Sequence, residues 1–227
     1  MPTDMMSGGR LALPCPALPC LAVSPPPPGM YDDMYSYLPT QGWMFLPITD
    51  YHAGGEDATF GDHLAAYEWA LAQYLGAGTA ACYRGDRPYK TNATRAVVTK
   101  WIGWYKAHRA TLIQPIVHIR RADMQSWDGW LHVNPYAYGG AEEGAEEGAE
   151  VGVAMLFNPT MKAMQARVSV PLYYTGLSTS AMVRVDEAPP KAMALGRDFS
   201  VVLQLPMAAR SVHTVVFSRP PAADSAA

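Results

Sequence analysis

The chain has 227 residues, enough to bury one or two cores. Its 17 Lys and Arg against 20 Asp and Glu give a formal charge of −3, and the arginines are scattered, so there is no basic footprint for nucleic acid. No apolar run approaches the roughly 20 residues that span a bilayer, and Cys15, Cys20 and Cys82 lack both metal-ligand spacing and a disulfide framework, so a soluble protein without metal or organic cofactor is expected.

Residues 1–29 contain "LALPCPALPCLAVSPPPPG", apolar residues punctuated by prolines that remove helix hydrogen bonds. The segment reads as a disordered, proline-rich leader. Arg10 followed by an apolar stretch has the order of a secretory signal, but the prolines argue against its helical region. From residue 30 the punctuation becomes regular. "GWMFLPI", Gly42 to Ile48, is the near-continuous apolar run of a strand buried on both faces. After a polar loop, Asp62 offers an N-cap, and Leu64, Tyr67, Leu71, Tyr74 and Leu75 lie on one face of a helix that Gly76 and Gly78 end. "TAACY", Thr79 to Tyr83, is a second small strand. A longer helix begins near Asn92 to Thr94, turns Val97, Val98, Trp101, Trp104, Tyr105, His108 and Leu112 inward, and finishes before Pro115.

Beyond Pro115 the period changes from helical to alternating. "IVHIRRAD", "GWLHVNP", "GVAMLFNP", "QARVSVPLYY", "AMVRVDE", "FSVVLQLP" and "HTVVFS" are seven short segments rich in branched and aromatic residues, the form of an antiparallel β-sandwich over 115–219. The acidic tandem repeat from Gly139 to Glu150 is too polar for a core and reads as a solvated hairpin loop without function, and 220–227 as a disordered tail. The fold class is therefore α+β, with βαβα over 30–114 ahead of the sandwich. Two βα units leave a free sheet edge and exposed apolar surface, so self-association through that edge is expected.

The blocks "YDDMYSYLPTQGWMFLPITDYH", "YEWALAQYLGAG", "ACYRGDRPY", "WYKAHRATL", "IVHIRRAD", "LHVNP", "GVAMLFNPT" and "VPLYYTGL" resemble, in order, the C-terminal part of a glycoside hydrolase family related to the alpha-galactosidase (melibiase) enzymes. In that family a (β/α)₈ barrel precedes an antiparallel β-sandwich. The resemblance implies that the two βα units are the last two of an incomplete barrel, with the proline-rich leader where earlier units belong. Residues just past the strand ends would then face the rim: Asp50, Tyr51 and His52 after one strand, and Tyr83, Arg84, Asp86 and Arg87 after the next. Such carboxylates and guanidinium groups bind sugar hydroxyls, and Tyr51 and Trp43 offer faces to a pyranose ring.

The same resemblance places the nucleophile and the acid/base on earlier strands, which no segment here matches. Hence none of these residues is assigned a catalytic role, and Asp50 and Asp86 shape substrate at most. A purely structural reading stands beside it, in which Asp50 ends its strand and Arg84 pairs with Asp86 across a turn. His118, His132 and His213 fall on presumed strands and read as structural, and Trp101, Trp104 and Tyr105 as core rather than a sugar platform. The sequon at Asn92 matters only on a secretory route. Two functions follow: a partial glycosidase-like polypeptide, inactive alone, or a noncatalytic sandwich module that binds carbohydrate or protein.

Overall fold

The computed structural model describes residues 64–79, 89, 91–123, 125–138 and 148–221. The expected strand at 42–48, nearly all of that at 79–83, the leader and most of the short tail lie outside these residues. Helices α1 (Leu64–Gly76) and α2 (Asn92–Leu112) are followed by strands β1 (Ile116–Arg120), β2 (Asp128–Val133), β3 (Glu150–Asn158), β4 (Met164–Pro171), β5 (Ser180–Val185), β6 (Lys191–Ala194), β7 (Ser200–Met207) and β8 (Ser211–Ser218). Every strand pair among them is antiparallel. All seven alternating segments became strands, and β6 is an eighth that alternation did not reveal.

The helix ends follow local chemistry. At the start of α2 the Thr94 amide donates to Thr91 Oγ1 at 3.1 Å while the Thr91 amide donates to Thr94 Oγ1 at 2.9 Å, a reciprocal cap that satisfies two otherwise orphaned donors. α1 closes with Gly78 N–H donating to Leu75 O at 3.0 Å and Thr79 N–H to Tyr74 O at 3.3 Å. This closure turns on Gly78, whose φ of +75° favours glycine. A Cβ at Gly78 would also meet the Leu112 carbonyl oxygen, so the end of α1 can lie directly on the end of α2 only because that atom is missing.

Six strands form one sheet in the order β1-β2-β3-β8-β5-β6, and β4 pairs with β7 in a second. The two sheets share a core. Ala166, Val168 and Val170 of β4 and Val201, Leu203, Leu205 and Met207 of β7 pack with Leu131, Leu156, Val183, Val215 and Phe217 of the large sheet. β4 and β7 show the alternation of half-buried strands, whereas β3 is buried from Val151 to Asn158. The reason is a second apolar layer on its other face. There Trp130, Met155 and Phe157 meet Tyr67, Leu71 and Leu75 of α1 and Val98 and Trp101 of α2. Each large side chain so covered contributes roughly 1.5–3 kcal/mol. The helices are thus fastened to the sheet, and Trp130 Nε1 adds a hydrogen bond to Gly76 O at 3.1 Å.

α1 is more fully buried than a one-faced helix. Trp69, Ala70 and Ala72 are buried along with the expected Tyr67, Leu71 and Leu75, while Leu64 and Tyr74 are only half-buried.

Candidate functional site

The rim candidates Asp50, Tyr51, His52, Tyr83, Arg84, Asp86 and Arg87 all lie outside the described residues. The described residues form a different concavity, between α2 and the β5–β8 pair. It is a cavity of about 500 Å³, within the range of about 300–1,000 Å³ typical of small-molecule sites. Two periodicities build it. Lys100, Gly103, Trp104, Ala107 and His108 recur at helical spacing along α2, and Val212, Thr214 and Val216 recur at the strand period along β8. Arg184, Asp186 and Glu187 complete the wall from β5 and the turn after it. An added Cβ at Gly103 meets nothing within 4 Å, so this part of the wall stands clear of its neighbours.

Most charges lining the cavity are already engaged. Lys100 Nζ donates to Glu68 Oε1 at 2.6 Å, and Trp101 Nε1 donates to the same oxygen at 3.2 Å. His108 Nδ1 donates to Glu150 Oε2 at 2.6 Å, which in the neutral ring leaves the Nε2 lone pair as an acceptor. The Trp104 ring lies against His108, centroids 5.2 Å apart. Asp186 accepts from His213 Nδ1 at 2.7 Å through one oxygen and from the Thr214 amide at 2.8 Å through the other. Burial pushes the Asp186 carboxyl up, but the bonds from His213 and Thr214 outweigh it and hold it below the usual carboxylate value. The bond to Asp186 raises His213 in turn, against the effect of burial.

Glu150, assigned to a functionless solvated loop, is the first residue of β3 and holds His108. Trp104, read as core, is only partly buried and lines the cavity. Trp101 is core as expected, and Tyr105 packs at its margin.

The three histidines expected on strands lie on strands. His118 lies in β1 and His213 in β8. His132 is fully buried, with Nε2 donating to Gly76 O at 2.8 Å and Nδ1 3.4 Å from Gln114 O, so it ties β2 to the ends of both helices. Burial pushes its pKa down to about 4, against the two carbonyl contacts. Among the described residues no cluster of three or more His, Cys, Asp or Glu gathers to hold a metal, and no helix is long and apolar enough to cross a membrane.

No family model matches the sequence, and no curated protein does. Solved structures do. A GH27 β-L-arabinopyranosidase from Geobacillus stearothermophilus is similar with a TM-score of 0.50 at 15% identity, over 87% of this chain and 42% of that one. A variant of that enzyme in complex with arabinose gives a TM-score of 0.46 at 15% identity, over 80% of this chain and 38% of that one. Alpha-galactosidase I from Mortierella vinacea gives 0.42 at 13% identity, over 68% and 35%. The chain therefore spans about two fifths or less of these structures. What the likeness shows is a fold related to that of glycoside hydrolases.

Proposed function

We propose that the chain carries the last two βα units of a (β/α)₈ barrel and the C-terminal β-sandwich of an alpha-galactosidase-like glycoside hydrolase, and that it does not turn over glycosides by itself. One observation carries this reading: the similarity to the arabinopyranosidase extends over 87% of this chain's length but only 42% of that enzyme's. The motif order in the sequence supports the same assignment. Glycosidic cleavage needs two carboxyls flanking the scissile bond, and in this reading both belong to barrel strands that no segment of these residues matches. Asp50, Tyr51, His52, Tyr83, Arg84, Asp86 and Arg87 then line the rim and shape a sugar substrate, and the free edge of the two strands promotes self-association.

The test is turnover of aryl α-galactosides, β-L-arabinopyranosides and glucosides by the purified chain. No release above the buffer blank is expected. Turnover that disappears in Asp50→Asn or Asp86→Asn would place the catalytic pair in this chain and refute the assignment. The cavity beside α2 favours a second reading, a noncatalytic binding module, because its binding groups owe nothing to the barrel rim. Saturable sugar binding that survives substitution of all seven rim residues would select that reading.

A further inference from the structure

We propose that the cavity between α2 and the β5–β8 pair is a binding site for a pyranose carrying a carboxylate, a sugar acid, held by Arg184 and Trp104. The site is separate from the rim and stands whether or not the rim reading does.

In β5, Ala181 and Val183 point into the core shared by the two sheets, so Arg184 lies on the opposite face, beside α2, paired in register with Val216. It is half-buried and lines the cavity, yet it has no hydrogen-bond or ion-pair partner among the described residues. The neighbouring charges explain why. Asp186 is engaged by His213 and Thr214, Lys100 is paired with Glu68, His108 with Glu150, and Glu187 is exposed to solvent. Arg184 is therefore the one cation among the lining residues without a counter-charge of its own. A partly desolvated guanidinium left this way is costly, and a carboxylate is the ligand group that matches its planar fork bidentately.

The rest of the wall sets the remainder of the ligand. Trp104 supplies a large flat face of the kind that covers the apolar side of a pyranose. His108 Nε2, the Thr214 hydroxyl and the remaining lone pairs of Asp186 suit ring hydroxyls. Asp186 and Glu187 also decide against phosphate esters. A dianion would meet two nearby carboxylates, whereas a carboxylate brings a single negative charge that Arg184 can neutralise.

Titration of the full chain with galacturonate, galactose, acetate and inorganic phosphate, followed by calorimetry and tryptophan fluorescence, tests this. Galacturonate should bind saturably and about tenfold or more tighter than galactose, which lacks the charge, and than acetate, which lacks the ring. Arg184→Gln should weaken galacturonate about tenfold or more while leaving galactose unchanged. Because Arg184 has no partner to lose among the described residues, the unfolding midpoint of this variant should not fall. Equal binding of galactose and galacturonate, equal binding of acetate or phosphate, or absence of saturation would each overturn the proposal. The wild-type comparison decides even if Arg184→Gln fails to fold. A folded Arg184→Gln chain that binds galacturonate like wild type would overturn it too.

Discussion

Replacing His132 with glutamine should flatten the acid sensitivity of the fold. The imidazole is fully buried where β2 meets the ends of α1 and α2, and burial lowers its pKa from 6.5 to about 4. In the unfolded chain the ring takes up a proton below about pH 6.5, while in the folded chain it resists until about pH 4. The stabilisation is therefore complete above the unfolded value and is lost as pH falls toward the folded one. At about 1.4 kcal/mol per pH unit, that interval corresponds to roughly 3 kcal/mol, a large part of a marginal stability of about 5–15 kcal/mol. Glutamine keeps an amide donor for Gly76 O and does not titrate. Urea unfolding of both chains at about pH 7 and about pH 4.5 should show the wild type losing about 2–3 kcal/mol more than His132→Gln. The other titrating groups cancel in that difference. Parallel pH profiles for the two chains would mean that His132 is not desolvated, and the fastening of the helices onto β2 would have to be redrawn.

Asn158→Ala should destabilise the fold by about 2–4 kcal/mol in urea unfolding. Its buried amide donates to Lys162 O at 2.8 Å and Ala208 O at 2.7 Å, and its carbonyl accepts from the Thr160 amide at 3.0 Å, so truncation orphans groups from two turns at once. Gly78→Ala should cost about 2–4 kcal/mol by the same measurement, because the left-handed backbone and the Leu112 carbonyl both oppose a Cβ. Gly103→Ala, which meets nothing, should be neutral or slightly stabilising in a thermal melt.

The elements that were legible in the sequence carry their signals locally. The helix start near Asn92 to Thr94 and the helix end at Gly78 are set by bonds within a few residues, and the alternation of Val168 and Val170 or Leu203 and Leu205 follows from one face being covered. β6 was missed because "KAMA" has no β-branched residue and sits close to two prolines, and only its pairing with β5 makes it a strand. The cavity was hidden for a different reason. Trp104 and Arg184 come together only because β5 pairs with β8 and α2 lies across the same face, a long-range arrangement that no local period encodes. Glu150 closes an acidic low-complexity run, so its bond to His108, 42 residues away, had no compositional sign.

In the proposed arrangement, residues 42–48 and 79–83 are the adjacent parallel strands that end a (β/α)₈ barrel. Cross-strand amide and Hα contacts in the labelled full chain, measured by nuclear Overhauser effects, test it directly. Parallel neighbours lie about 4.8 Å apart with evenly slanted hydrogen bonds, so the account predicts a continuous parallel set of contacts between the two segments. An antiparallel set, or no contacts between them, would contradict it.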